Sequence, residues 1–308
     1  MKEAVNERVA YFNGQYGPES KAQVSIFDLG FRIGDGVYDV ARTYGGKPFK
    51  LRAHVDRLYR SMTYARLTVD LTPDEFEAVC QEVLDRNRPL LGPKEDYSLW
   101  MNVTRGIGAT GHGASPPAGS TVAVYCILAN LKPFAKAFTE GIRLVTPSVR
   151  RFPPECLDPK AKISNKMNHI LADRESRVVD AESYSLMLDV NGFVAENSAA
   201  NFFFAGKGEL FTPTTRNVLA GVTRETIFEL AAKLGIRAHE GDYTVYDALM
   251  GEEAFLTGTT PTILPARSLN GVEFPSDIPG PVTDRLLNAW SDMVGIDVVE
   301  QAQSHLHL

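Results

Sequence analysis

The sequence predicts an α/β (α+β) protein of two domains, on three observations. Short apolar stretches are joined by tight-turn dipeptides in both halves, helical periodicities lie between them, and a polar connector containing Pro133 divides the chain. With 308 residues, 44% apolar and 23% charged, the chain has enough material for two packed cores.

In chain order, "RVAYFNGQY" sets Asn13-Gly14 between two apolar stretches, and "VYDVARTYGGKPFKL" does the same with Gly45-Gly46. Both dipeptides suit residues that take positive φ, so each predicts a β-hairpin. From about Arg52, Val55, Leu58, Tyr59 and Met62 recur at helical spacing, and a second helix begins at "TPDEFEAVCQEVLDRN", where Thr72 caps and Pro73 fills the first turn. The strands "YSLWMNVTRG" and "STVAVYCILA" complete an N-terminal α/β domain over 1–130. A linker over 131–140 follows, then a C-terminal domain over 141–308. In that domain "GIRLVTPSV" opens with a strand, and "SYSLMLDVNGFVAENSAANFFFAGKGELFT" predicts an antiparallel meander turning at Asn191-Gly192 and at Gly206 to Gly208. The helix "VTRETIFELAAKLG" ends at Gly235.

A net charge of −6, without a basic stripe interleaved with aromatics, argues against nucleic acid and for a small-molecule partner. Cys80, Cys126 and Cys156 are odd in number and widely spaced, so no metal site and three reduced, buried thiols are expected. The opening "MKEAVNERVAYFNG" has no apolar h-region, and the longest apolar run, Val122 to Ala129, is far short of a membrane span. A cytoplasmic protein with no membrane partner is expected.

Four stretches offer chemistry. In "PKAKISNKMNHILADRE", Ser164 or Asn165 can cap the helix that follows, leaving Lys162 at the end of an extended segment beside Lys160 and Lys166. A lysine that attacks an aldehyde must spend time uncharged, which an apolar or cationic setting promotes; most lysines at strand ends are simply solvated. In "NVLAGVTRET", Gly221, Val222 and Thr223 open a helix whose first amides can bind an anion, although Thr223 could equally be a simple cap. "FLTGTTPTILP" puts Gly258, Thr259 and Thr260 after an apolar strand, where amides and hydroxyls cluster. Arg57 in "HVDRLYRS" borders a buried stripe, and Glu196 follows the Asn191-Gly192 turn. Each could be an ordinary ion-pair member.

Together these pieces suit one ligand: an aldehyde for the lysine, a phosphate for the helix amides and the arginine, and a ring nitrogen for the glutamate. The sequence resembles the class IV aminotransferases, the fold-type-IV pyridoxal-phosphate enzymes, over nearly its whole length, from "DLGFRIGDGVYDVARTYGGKPFK" to "FLTGTTPTILPARSLNG". The resemblance implies a small N-terminal α/β domain, a larger C-terminal pseudo-barrel domain, pyridoxal 5′-phosphate between them, and a homodimer. It implies Lys162 as the catalytic Schiff-base lysine, Arg57, Val222, Thr223 and Thr259 as phosphate ligands, Leu219 against the ring, and Glu196 at the ring nitrogen. Lys160 and Lys166 are then ordinary surface residues.

For the substrate, Tyr38 and Arg42 alternate onto one face of "VYDVAR" and match pocket positions of the family, with Arg42 the candidate carboxylate ligand. His112 matches a histidine of the D-amino-acid enzymes, but Thr110 stands where their carboxylate-binding arginine would be, and Met167 where bacterial branched-chain enzymes often carry tyrosine. Thr260 completes the substrate set. The implied reaction is amino transfer between a branched-chain L- or D-amino acid and a 2-oxo acid, with (R)-amines as further donors. An elimination of pyruvate, as in aminodeoxychorismate lyase, is the alternative.

Overall fold

The computed structural model describes residues 7–110 and 119–307. The chain divides into two compact units. The first runs to Ala129 and also takes in Ala161–Asn165; the second comprises Asn130–Lys160 and everything from Lys166 onward.

In the first unit, β1 (Val9–Phe12) and β2 (Gln15–Pro18) form the first hairpin, with Asn13 and Gly14 at φ 46° and 88°. A short helix α1 (Leu29–Ile33) leads into β3 (Gly36–Tyr44), which turns at Gly45-Gly46 into β4 (Lys47–Pro48). Helices α2 (Leu51–Ala65) and α3 (Pro73–Asn87) follow, α3 carrying the Thr72–Glu75 capping box, and then β5 (Tyr97–Thr104) and β6 (Thr121–Leu128). The sheet order is β2-β1-β6-β5-β3-β4. Its strands alternate through their middles, while Ala41 to Tyr44 and Tyr97 to Leu99 are buried throughout: Val37, Ala41, Leu99, Met101, Val103, Val122, Val124 and Cys126 pack with Val55, Leu58, Met62, Phe76, Cys80 and Val83 of α2 and α3. The intervening residues Tyr38, Val40, Trp100, Asn102, Ala123 and Tyr125 are only partly buried and share the other face.

In the second unit, α4 (Ala137–Glu140) lies in the stretch read as linker, after a 3-10 turn at Lys132–Phe134. The remaining elements are β7 (Ile142–Val145), α5 (Met167–Val179), β8 (Tyr184–Ser185), β9 (Asn201–Gly206), β10 (Glu209–Pro213), α6 (Val222–Lys233), β11 (Ala238–Gly241), α7 (Val245–Leu249), β12 (Glu253–Gly258), β13 (Thr262–Leu269), β14 (Val272–Glu273), α8 (Pro281–Val294) and α9 (Val298–Ser304). They build an eight-stranded sheet ordered β11-β10-β9-β12-β13-β7-β8, with β14 against β13. The meander is antiparallel from β9 to β10, but β8 pairs parallel to β7, and between them the chain makes only isolated bridges, Leu188 to Val194 and Glu196 to Asn201. No helix among the described residues is long and apolar enough to cross a membrane.

Two expectations fail. Cys156 is exposed, while Cys80 and Cys126 are buried as expected. Helix α5 is capped by Lys166 without a side-chain bond, not by Ser164 or Asn165, because the Ser164 amide donates to Gly36 O at 2.9 Å and holds that segment against β3.

Candidate functional site

In the first unit the candidate residues converge on the start of β3. Ile163 bridges Val37, and the Tyr38 amide donates to Lys162 O at 3.0 Å. The Lys162 amide donates to Ser61 Oγ at 3.0 Å, and Ser61 donates its own proton to Arg57 O, one helical turn back, at 2.9 Å. Ser61 is fully buried, so its hydroxyl joins the lysine's main chain to the helix that carries Arg57. The side chain is then free only in its own torsions: Nζ lies 4.5 Å from the centroid of the Tyr38 ring.

Arg57 is buried and held side-on by Asp39, Nε to Oδ2 and Nη2 to Oδ1, both at 2.8 Å. His54 Nδ1 lies 2.8 Å from the same Oδ1. Burial works against charge on Asp39, but the Arg57 guanidinium and the His54 bond outweigh it and hold the carboxyl far below its usual range. Burial lowers the His54 pKa despite Asp39, so the ring is neutral and its Nδ1–H donates to the carboxylate. Arg42 is buried with its guanidinium 4.4 Å from the Tyr44 ring centroid, on the face that alternation gives to Tyr38.

In the second unit Glu196 is the centre. Its Oε1 accepts from Arg151 Nε at 2.9 Å and lies 4.0 Å from His169 Nε2. Its Oε2 accepts from the Leu219 amide at 2.9 Å and from Asn201 Nδ2 at 3.2 Å. Burial alone would raise this carboxyl; His169 and Arg151 bring it down to about 2. Burial also keeps His169 below the ordinary histidine value, so Arg151 is the permanent positive partner. Asn201 donates to Leu219 O as well, at 2.9 Å, which fixes the Leu219 peptide at both ends.

Immediately beyond, α6 starts from Gly221 with no side-chain cap, leaving the first-turn amides of Val222 and Thr223 for an anion. Gly221 is there for space: a Cβ would stand 2.2 Å from Asn201 Oδ1. Arg224 of the same turn is occupied elsewhere, donating to Pro213 O at 3.0 Å and pairing with Glu240. Thr259 and Thr260 occupy the partly buried turn between β12 and β13.

The structure thus groups Tyr38, Arg57 and Lys162 in one unit, and Glu196 and Leu219 in the other; His112 lies outside the described residues. Lys160 is half exposed and pairs with Asp158 at 3.4 Å. Sequence reasoning missed Asp39, His54 and Ser61, and Arg151, His169 and Asn201. His54 and Arg57 are three apart on one helix, and Asp39 is a charge on the buried side of β3, so a buried-pair argument could have found those. Arg151 gives no local signal.

The family model for amino-transferase class IV matches residues 36–269. A putative branched-chain-amino-acid aminotransferase of Methanocaldococcus jannaschii is 33% identical over 92% of this chain and 95% of its own length. The D-alanine aminotransferase of Bacillus licheniformis is 28% identical over 92% of this chain and 96% of its own length. Among solved structures, the branched-chain amino acid aminotransferase of Escherichia coli superposes with a TM-score of 0.86 at 28% identity, covering 94% of this chain and 95% of that one.

Proposed function

The chain belongs to the class IV aminotransferase family, and on that premise we propose that it moves an amino group between an apolar amino acid, branched-chain L- or D-configured, and a 2-oxo acid, with Lys162 as the catalytic base and cofactor-bearing residue. Enzymes of this class use pyridoxal 5′-phosphate, which supplies an electron sink for the carbanion left when a proton departs the substrate carbon.

The residues present suit that group. Glu196 is a buried carboxylate kept anionic, the partner a protonated ring nitrogen requires, and the uncapped start of α6 offers amides to a phosphate. Arg57, Thr223, Val222 and Thr259 are the proposed phosphate ligands, and Leu219, its peptide fixed by Asn201, the residue beside the ring. Lys162 Nζ takes the proton from the substrate carbon and returns it, and its clamped main chain limits that movement to the side-chain torsions. Arg42 binds the substrate carboxylate and Tyr38 lines the pocket, with His112 and Thr260 as further pocket residues. (R)-amines are proposed as secondary donors.

The observation that carries this reading is the double anchorage of Lys162, its amide on Ser61 and its carbonyl on Tyr38, with Ser61 tied in turn to Arg57. Lys162→Ala tests it. Turnover should fall on the order of a thousandfold or more, and borohydride should no longer fix the cofactor to the protein. Undiminished turnover with fixation intact would overturn the assignment. A panel of L-leucine, D-alanine and (R)-1-phenylethylamine then reads the donor class.

We also propose a homodimer. Val24, Ile26, Phe27, Phe31, Ile33 and Ile107 are all more than half exposed, and the Asp28–Ile107 bridge sets Ile107 beside the segment that carries the other five. So many exposed apolar side chains are costly to leave in water, and a second copy of this chain would cover them. Light scattering should give twice the 33.9 kDa chain mass, with Phe31→Glu shifting it toward monomer; a monomeric wild type refutes the proposal.

A further inference from the structure

The open face of the first unit's sheet carries a row of three aromatic rings. Tyr38 on β3 and Trp100 on β5 have centroids 5.7 Å apart with planes 11° from parallel, and Trp100 and Tyr125 on β6 are 6.4 Å apart, again at 11°. The rings stand across three adjacent strands with their faces together. One outer face, that of Tyr38, is taken by Lys162 Nζ. All three rings remain partly exposed, and the residues among them on the same face, Val40, Asn102 and Ala123, carry no charge. Asn102 Nδ2 donates to Tyr125 Oη at 3.4 Å and helps hold the far end.

Stacked rings present their edges outward. An aromatic edge carries the positive end of the ring's quadrupole and favours the negative face of another aromatic ring, an attraction that an aliphatic chain of equal area does not receive. A second carboxylate, as in a dicarboxylic amino acid, would lose its water there, and the cations beside the row, Lys162 and Arg42, are the ones the reading above commits to the cofactor and to the first carboxylate.

Resting on the aminotransferase reading above, we propose that the Tyr38–Trp100–Tyr125 row is the side-chain subsite and that, beyond the branched-chain substrates of that reading, it also takes aromatic side chains and favours them, while disfavouring dicarboxylic ones. Tyr38 touches both the amine that does the chemistry and the next ring of the row. A ring attached one or two carbons from the reacting carbon is therefore the substrate shape that the row accommodates.

The test titrates the holoenzyme with two unreactive acids, 3-phenylpropanoate and 4-methylpentanoate, by calorimetry. Wild type should bind the aromatic acid tighter by roughly two- to tenfold. Trp100→Leu should abolish that preference by weakening the aromatic acid more than 4-methylpentanoate, and Trp100→Phe should keep most of it. Tyr125→Leu, at the far end, should reduce the preference partially. The ratio of kcat/KM for phenylpyruvate over 4-methyl-2-oxopentanoate should move in parallel. Equal affinity for the two acids in wild type, or a preference that survives Trp100→Leu, overturns the inference while leaving the aminotransferase reading intact. Failure of that reading shows earlier and separately, as a wild-type protein without the cofactor's absorbance before any acid is added.

Discussion

Asp39 in the first unit and Glu196 in the second are the same device built twice: a buried carboxylate, an arginine on one oxygen or both, and a histidine held neutral by burial. They differ in what remains of the carboxylate. Asp39 accepts four bonds, two from Arg57, one from His54 and one from the Val40 amide at 2.7 Å, against three for Glu196, so its work is to orient a cation. Glu196 gives Oε2 to a backbone amide and an asparagine but Oε1 to Arg151 alone, with His169 at 4.0 Å, so Oε1 keeps a lone pair for a further donor. The first carboxylate positions another residue's charge; the second keeps an oxygen open, as its proposed role at a ligand's ring nitrogen requires. Burial and an arginine partner do not distinguish these roles, whereas the count of occupied lone pairs does.

Paired substitutions test that distinction most strongly. Glu196→Gln should lower kcat on the order of a hundredfold or more and cost some stability, because Arg151 loses its counter-charge, but less than Asp39→Ala, since Gln keeps an oxygen for Arg151 and for the Leu219 amide. Asp39→Ala should leave Arg57 buried and unpaired and cost about 3–5 kcal/mol of stability, measured by denaturant unfolding. If the two variants lose stability equally, the contrast collapses.

Acid unfolding sharpens it next. Glu196 has a folded pKa of about 2 against an ordinary 4.5, and Asp39 is also depressed, so both contribute stability that is present above the unfolded values and lost as pH falls toward the folded ones. His54 and His169 are lowered from 6.5, so protonation of the unfolded chain begins to erode stability below that pH. The melting temperature should therefore decline gently below about pH 6.5 and steeply from 4.5 toward 2. In Glu196→Gln the steep part should shrink but not vanish, because Asp39 remains. A profile flat down to pH 3 would contradict both assignments.

The smallest effect is expected at Ser61. Ser61→Ala removes one bond to the Lys162 amide and one to Arg57 O, and should cost about 1–3 kcal/mol of stability. Its more telling readout is kcat, which should drop with little change in KM, because the lysine's main chain loses an anchor.

What could be read from the sequence follows the range of each interaction. Asn13-Gly14, Gly45-Gly46 and Thr72-Pro73 act within four residues, and the hairpins and the capped helix stand where those rules put them. The resemblance to class IV aminotransferases supplied Lys162, Arg57 and Glu196, but not their supports. Ser61 and Lys162 are 101 residues apart, Arg151 and Glu196 45 apart, and no periodicity links such pairs. The helix cap expected at Ser164 or Asn165 fails for the same reason: a local rule favours it, and a distant strand takes the Ser164 amide instead.

The five-residue return of the chain to the first unit has a consequence for anyone who would dissect this protein. A fragment ending at Ala129 keeps the arginine, its carboxylate and the aromatic row, yet lacks Lys162, the amine proposed to react, and leaves the start of β3 as a bare edge. Splitting, shuffling or permuting the polypeptide between its halves therefore parts Lys162 from the strand and helix that hold it, unless residues 161–165 travel with the first piece.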